Sequence, residues 1–194
     1  MTEPRQEVLE FDGDPRKHYI FAYGSDMSEG QIRERCSRPV AVGVACLPGH
    51  TLGFYGHSEV WDGAVETALP APGQDLWGVV YELSYTDAQR LDAWHDARLD
   101  GAGSSFHYPA RVRDDTGRWR TVLLYKKDVL GERLPPSREY LDFLVRGAEA
   151  RGLPPEYLQT LRGIPTQPAS YAVPQHSPFQ REITIVTSCA ECGG

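Results

Sequence analysis

Cysteine is scarce in this chain of 194 residues, and long apolar runs are missing. Four cysteines are too few for a disulfide-stapled scaffold of this length, so reduced thiols are predicted. No apolar stretch approaches the ~20 residues that a membrane-spanning helix needs. Residues 1–17 are acidic and polar and lack the apolar stretch of a secretory signal, which predicts a flexible N-terminal arm and cytoplasmic residence.

Positive charge is also in short supply. Against 27 Asp and Glu the chain has only 20 Lys and Arg, so its formal net charge is -7, and the basic residues are scattered along the sequence. Such a chain repels a phosphate backbone. Neither nucleic acid nor a membrane is expected as a partner.

Two of the cysteines form a CAEC pair close to the last residue. Cys189 and Cys192 could supply half of a zinc knuckle or a redox pair, but the sequence has no second CxxC. A protein or metal contact through this pair is therefore only a minor alternative. Residues 166–194, rich in Pro, Gln, Ser and Thr at their start, are predicted to form a C-terminal extension.

Short runs of strand-forming residues recur through the middle of the chain. The first, HYIFAY, ends at Gly24, where a sharp turn is possible. Clusters of Gly, Pro and Asp separate the runs that follow and favour turns between them. Such a series predicts a small barrel, and its remaining members are VAVGVACL, TLGFYG, AVETALP, LWGVVYEL, YPARVR and WRTVLLYKK.

Helical periodicity appears between and after these runs. Ser28 with Gln31 matches a capping box at the start of a first helix, and Thr86 with Gln89 matches another at the start of a helix over Thr86–Arg98. The spacing of the second helix places His95 on its inward face. Two more helices follow, one amphipathic stretch that ends at a glycine in the C′ position and one that begins with two prolines: Tyr140 to Ala148 before Gly152, and LPPEYLQTLRGI.

The segment FAYGSDM joins the first strand to the first helix through a Gly-Ser turn. The backbone N–H groups of Gly24, Ser25, Asp26 and Met27 would form a natural site for a carboxylate or an oxyanion, because glycine lets a ligand approach closely. The same residues would also suit a plain tight turn in which Asp26 caps the following helix. These seven residues alone leave both interpretations open.

Three segments in combination resemble the γ-glutamylcyclotransferase family, which is also described as AIG2-like. IFAYGSDM is similar to the family's Y-G-S-N loop, and DLWGVVYELSYTDAQRLDAWHD is similar to its strand-helix unit with the pattern L-D-x-x-E-G. PSREYLDFLVRGAEARGLPPEYLQTLRGI is similar to its closing helical pair. The resemblance runs from about His18 to Pro165, residues 18–165, and implies an α+β fold, a small mixed β-barrel with flanking helices, without a cofactor.

The resemblance also implies a reaction. In that family the α-amine of a γ-glutamyl substrate attacks the substrate's own γ-carbonyl, which gives 5-oxoproline and releases an amine or amino acid. The enzyme holds the cyclising conformation, accepts a proton from the α-ammonium and stabilises charge on the carbonyl oxygen. A glutamate on the central helix is the base, and the loop N–H groups cradle the substrate, a small γ-glutamyl or related amide.

The chain departs from the family pattern at its reacting centre. His95 stands where the glutamate is expected, Asp96 replaces the next glycine, and Asp26 replaces the asparagine of the loop. A neutral imidazole can accept a proton at neutral pH, so His95 is a candidate catalytic residue, with Asp92 one helical turn earlier as a partner that sets its tautomer. Alternatively, His95 fills the slot of a lost catalytic residue.

Two further acids and several aromatic residues are candidates for the site. Asp26 could bind the α-ammonium or act as the base itself. Glu66, in AVETALP, either lines a cavity among small residues or faces solvent. The resemblance also implies substrate-binding roles for aromatic residues that could equally be core, namely Tyr23, Tyr125, Tyr140 and either Phe106 or Tyr108. His57 and His107 have no motif around them and are predicted to be structural or exposed.

Two other functions stay open from the sequence. A protein that has kept the pocket but lost the base would be a binding or regulatory protein. Altered chemistry on the same scaffold, such as hydrolysis or decarboxylation of a carbamoyl-like substrate, is suggested by the similar C-terminal domain of allophanate hydrolases. No catalytic metal is predicted, because the sequence has no His-carboxylate spacing typical of one.

Overall fold

Over residues 17–98 and 100–175, five β-strands close into a barrel in the order β1-β3-β2-β4-β5. The structure is a computed structural model that describes residues 17–98 and 100–175. Strands β1 and β5 pair in parallel and the other neighbours are antiparallel, so the predicted mixed barrel is confirmed. The strands are β1 Lys17–Ala22, β2 Val40–Ser58, β3 Gly63–Ser84, β4 Ser105–Asp114 and β5 Trp119–Lys127.

Two of the five strands are longer than the sequence pattern predicts. VAVGVACL and TLGFYG both belong to β2, and AVETALP and LWGVVYEL both belong to β3. The Pro48-Gly49 pair does not end β2, because the pairing with β3 continues across a register shift in which Pro48 pairs with Asp75 and His50 with Pro70, while Gly49 takes a φ of +70°. A bulge in a long hairpin therefore accommodates residues that predicted a turn.

In the described part of the chain, four α-helices flank the barrel: α1 Glu29–Arg35, α2 Tyr85–Trp94, α3 Arg138–Ala150 and α4 Pro155–Arg162. The predicted cap of α1 is confirmed, since the Ser28 hydroxyl accepts a hydrogen bond from the Gln31 N–H at 3.5 Å. The predicted C′ glycine of α3 is also confirmed, since Gly152 follows the C-cap with a φ of +72°.

Helix α2 differs from its prediction at both ends. Ser84, not Thr86, is its N-cap, and the Ser84 hydroxyl accepts from the Asp87 N–H at 3.2 Å. The helix ends at Trp94, four residues before the predicted end at Arg98, because Asp96 takes a φ of +49° that an α-helix cannot contain. His95 is thus the C-cap residue and not part of an inward helix face.

The segment after β1 is held against the rest of the fold through Met27. The Met27 carbonyl accepts hydrogen bonds from the Tyr81 hydroxyl of β3 at 3.3 Å and from Arg151 Nε, beyond α3, at 3.1 Å. Helix α3 passes so close that a Cβ on Gly147 would lie 3.2 Å from the Ser28 nitrogen. Packing between elements therefore fixes the position of the turn that leads into α1.

Several sequence predictions fall outside the described residues. These are most of the N-terminal arm, the CAEC pair and the end of the C-terminal extension. Within the described residues no helix is long and apolar enough to cross a membrane. The boundaries predicted for the domain, residues 18–165, stay a prediction.

Candidate active site

A cavity of about 380 Å³ opens beside the turn that follows β1. Strands β3 and β5, the end of α2 and the start of α3 supply its other walls. Eight of the residues that the sequence singled out share this cavity: Tyr23, Gly24, Ser25, Asp26, Glu66, His95, Tyr125 and Tyr140. The Gly-Ser turn and the histidine after α2 therefore open onto one space.

The turn itself is a single turn of 3₁₀ helix over Ser25–Met27. The Met27 N–H donates to the Gly24 carbonyl at 3.0 Å, so this amide is already used inside the turn. The Met27 side chain is buried and does not line the cavity. Met27 is therefore removed from the expected set of N–H donors, while Gly24 and Ser25 remain at the cavity wall.

Glu66 lies directly against this turn. Its Oε1 accepts a hydrogen bond from the Ser25 N–H at 3.4 Å, and its Oε2 accepts one from the Tyr140 hydroxyl. A Cβ built on Gly24 would come within 1.5 Å of Glu66 Oε1. Of the two interpretations of Glu66, the structure shows the one in which the side chain lines a cavity.

The Tyr140 hydroxyl is the donor in its contact with Glu66. Burial, and then the negative charge and hydrogen bond of Glu66, raise the pKa of Tyr140 well above its usual value, so the phenol keeps its proton. Glu66 therefore receives two hydrogen bonds, one from backbone and one from a side chain.

Asp26 is buried beneath the turn and is ionised. Its Oδ1 pairs with the Arg35 guanidinium, and its Oδ2 lies 2.7 Å from Nε2 of His95. Burial alone would raise the pKa of Asp26, but the charges and hydrogen bonds of Arg35 and His95 hold it at about 2. Both carboxylate oxygens are thus engaged by protein groups.

His95 is oriented by Asp26 and Tyr125. Because an ionised carboxylate can only accept, Nε2 of His95 carries the hydrogen that Asp26 binds, and Nδ1 is left as the second ring nitrogen. The imidazole stacks on the Tyr125 ring, with centroids 4.1 Å apart and planes 15° apart. One face of the ring is therefore covered.

Asp92 does not bind His95, contrary to the sequence prediction. Its Oδ1 accepts from the Tyr125 hydroxyl at 2.6 Å and from Nε2 of His107 at 2.7 Å. Burial opposes the shift, but these hydrogen bonds lower the pKa of Asp92. The prediction assumed that the helix continues through His95; since α2 ends at Trp94, the two side chains no longer share a helix face.

Three of the predicted tyrosines line the cavity and one does not. The Tyr23 hydroxyl donates to the Tyr125 carbonyl and accepts from the Ala68 N–H at 3.2 Å, which ties β1 to β5 and β3. Tyr108 is outside the cavity lining, and its ring lies under Lys126 Nζ at 4.3 Å. Phe106, the alternative to Tyr108, is exposed.

Arg35 is the residue of the site that sequence reasoning missed. It donates to the Ser25 hydroxyl at 3.2 Å as well as pairing with Asp26, and its guanidinium lies 3.9 Å above the centre of the Trp94 ring. An arginine in the last turn of a short helix gives no sequence signal of burial. Asp26, which needs a nearby cation when buried, was the one available indication. His57, for which no motif was found, also lines the cavity.

The cavity and its surroundings do not bring together a set of metal-ligating side chains within the described residues. Over residues 17–98 and 100–175, no group of three or more His, Cys, Asp or Glu side chains is placed to hold a metal ion. Of the acidic side chains in the cavity, Asp26 pairs with Arg35, and Glu66 accepts from the Tyr140 hydroxyl and the Ser25 N–H.

Comparison with known proteins gives a consistent relationship. Residues 75–161 match the model of the AIG2-like family. Bovine γ-glutamylcyclotransferase is 30% identical over 156 residues, which cover 78% of this chain and 80% of the bovine protein. The human γ-glutamylcyclotransferase is 28% identical over the same length and the same shares of the two chains.

A solved structure of a γ-glutamyl cyclotransferase has a similar fold. It superposes with a TM-score of 0.75 at 26% identity, over 88% of this chain and 99% of the other. The two chains therefore share the same fold over most of their length. The chain belongs to the γ-glutamylcyclotransferase family.

Proposed function

We propose that this protein is a γ-glutamylcyclotransferase that converts a γ-glutamyl amine or γ-glutamyl dipeptide into 5-oxoproline and a free amine or amino acid. The observation that carries this proposal is the shared cavity, in which backbone amides of the turn, a carboxylate and tyrosine side chains face one space. The reaction itself is inferred from the family to which the chain belongs.

The reaction needs little more than orientation and one proton acceptor. The α-amine and the γ-carbonyl belong to one molecule, so a cavity that holds the glutamyl chain bent converts the attack into a proximity-driven step. The N–H groups of Gly24 and Ser25 are proposed to face a carboxylate or the developing oxyanion. Tyr23, Tyr125 and Tyr140 form walls that limit the substrate's conformations.

Asp26 is not proposed to bind the α-ammonium directly. Both its oxygens are held by Arg35 and His95, and a ligand would have to displace one of these partners. Its proposed role is to orient His95 and to support the turn from below. Asp92 supports Tyr125 and His107 in the same indirect way.

A small γ-glutamyl molecule is the proposed partner, and cytoplasm is the proposed location. The two cysteines within the described residues, Cys36 and Cys46, are free and buried, which suits a reducing compartment. Burial raises the pKa of the Cys36 thiol to about 12, with Asp87 and Asp26 adding to the effect, so this thiol is unreactive.

Incubation of the full chain with a panel of γ-glutamyl amines and γ-glutamyl amino acids tests the proposal. Mass spectrometry is expected to detect 5-oxoproline and the released amine in equal amounts, without free glutamate. Release of glutamate in place of 5-oxoproline would show hydrolysis and contradict the proposal. So would the absence of any product over the whole panel.

A further inference from the structure

The proposed cyclisation requires a group that takes a proton from the substrate's α-ammonium, and this chain lacks a glutamate at position 95. Four side chains of the cavity are chemically able to accept a proton: Asp26, His95, Glu66 and His57, the last of which is about half exposed and lies 3.6 Å from Asp62 Oδ1. Their contacts separate them. Asp26 is a weak base, because its ion pair with Arg35 and its hydrogen bond to His95 hold its pKa at about 2.

His95 is tied to Asp26 by its Nε2–H and covered on one ring face by Tyr125. It contacts the buried ion pair of Arg35 and Asp26. A substrate ammonium brought to this group would meet the guanidinium of Arg35 as a like charge. Asp26, the acid beside His95, therefore already has a positively charged partner in Arg35.

Glu66 differs from Asp26 in having no cation partner. No basic side chain of residues 17–98 and 100–175 lies within ion-pair distance of its carboxylate, although the side chain is half-buried. Its two recorded contacts are neutral donors, the Ser25 N–H and the Tyr140 hydroxyl. A partly buried carboxylate without a counter-ion is the group in this cavity that a substrate ammonium would complement.

We propose that Glu66 is the catalytic base of the reaction proposed above, an inference that rests on that proposed function. The base then comes from barrel strand β3 instead of from the helix that ends before His95. The carboxylate accepts from the same Ser25 amide that is proposed to face the substrate. It is held at both oxygens, so its position is set before a ligand arrives. At 3.4 Å the Ser25 contact is long and weak, so a ligand oxygen can replace Glu66 as the acceptor of that N–H.

The proton balance of the proposed step closes on Glu66. Its carboxylate takes one proton from the α-ammonium, and the freed amine forms a C–N bond to the γ-carbonyl carbon. The attack leaves an alkoxide on that carbon and two hydrogens on the ring nitrogen. The Glu66 carboxylic acid gives its proton to the leaving nitrogen as the bond to the carbon breaks and the carbonyl re-forms, and the Glu66 carboxylate then takes the second proton from the ring nitrogen. That proton passes to the released amine, which departs as an ammonium, so 5-oxoproline remains and Glu66 is again a carboxylate without water or any co-reactant being consumed.

His95 becomes a positioning residue in this scheme. Its ring fills the space beside Tyr125, and its Nε2–H neutralises part of the Asp26 charge beneath the turn. A histidine with these contacts supports the loop without touching the reacting atoms.

Steady-state kinetics of Glu66→Gln, which keeps the side-chain size, test the assignment on the substrate that the wild-type chain turns over best. The expected result is a fall in kcat of about 100-fold with KM little changed, as for loss of a general base. A fall of less than tenfold would overturn the assignment, and a rise in KM alone would reduce Glu66 to a binding residue. Glu66→Asp is expected to recover part of the lost kcat.

Two matched variants complete the experiment. Glu82→Gln changes the same residue type on the same strand, outside the cavity lining, and is expected to keep kcat within about twofold. His95→Gln keeps a donor for Asp26 and is expected to lose less kcat than Glu66→Gln; an equal or larger loss would move the base to His95. Thermal unfolding of each variant separates misfolding from lost chemistry.

The wild-type chain, assayed in parallel, distinguishes the two proposals. An active wild type with an equally active Glu66→Gln variant would overturn the role of Glu66 and leave the proposed function standing. A wild type that forms no 5-oxoproline would overturn both.

Discussion

At Gly24 the missing side chain makes room for a carboxylate. Its φ of -120° is outside the left-handed region that favours glycine. Space is the reason, since a Cβ there would stand 1.5 Å from Glu66 Oε1 and 2.4 Å from its Cδ. The glycine of the turn and the glutamate of the opposite strand therefore depend on each other.

Gly24→Ala is expected to displace Glu66 and to leave the fold intact. The atoms that the new methyl group meets are the far end of a flexible side chain, which can rotate away. A carboxylate misplaced by about 1 Å costs on the order of 100-fold in rate, so kcat/KM for 5-oxoproline formation is expected to fall by about that factor. Steady-state assays measure it.

Gly30→Ala is the matched control for that substitution. Within 4 Å a Cβ there meets only the Ser28 hydroxyl oxygen, at 3.9 Å, and the position is inside α1. Alanine favours a helix over glycine by about 1 kcal/mol, so this variant is expected to be active and no less stable than the parent. Full activity in both variants would show that the Glu66 position is irrelevant to the rate.

Residue types predicted the turn but not the charges around it. The sequence is enough to identify FAYGSDM and LDAWHD as site segments, because a Gly-Ser turn and a short motif with a titratable residue are recognisable from neighbouring residues alone. Glu66 was left open between a cavity and solvent, since strand alternation gives two faces and does not say which face is inside. Arg35 was missed, because its burial depends on Asp26 and Trp94, and Trp94 is far from it in sequence.

The end of helix α2 shows how one element places a functional side chain. Helical periodicity continues past Trp94, and so the sequence predicted a helix to Arg98; periodicity carries no information about a single residue with positive φ. Asp96 takes that conformation, and its carboxylate accepts from the Ser104 N–H at 2.8 Å, which joins the helix end to the loop before β4.

Asp96→Gly and Asp96→Ala are expected to differ in stability. Both lose the hydrogen bond to Ser104, but alanine also bears the cost of a left-handed backbone, about 1 kcal/mol. The alanine variant is therefore expected to unfold at lower urea concentration than the glycine variant, with the same dependence on denaturant. Urea titration followed by tryptophan fluorescence measures the difference. Equal midpoints would mean that backbone conformation at Asp96 does not set the helix end.

On the scale of the whole molecule, one buried acid connects three separate segments. Asp26 lies in the turn after β1, Arg35 closes α1, and His95 follows α2, 69 positions along the chain from Asp26. The barrel could be predicted from the strand pattern, but this connection could not, because it depends on tertiary contacts between distant segments. The connection has a measurable consequence for stability in acid.

Asp26→Asn is expected to make stability less sensitive to acid. The folded state lowers the pKa of Asp26 from 3.8 to about 2, so its carboxylate contributes stability above pH ~4, which is lost as pH falls toward 2. A shift of that size corresponds to about 2 kcal/mol. The variant is therefore expected to be about 2 kcal/mol less stable than the parent at pH 7, with the gap closing near pH 2.

Urea unfolding at pH 7, 4, 3 and 2 tests this, with Asp142→Asn on the exposed side of α3 as a control expected to change stability by less than about 0.5 kcal/mol. A gap that stays constant across this range would mean that the Asp26 carboxylate does not stabilise the fold through its charge.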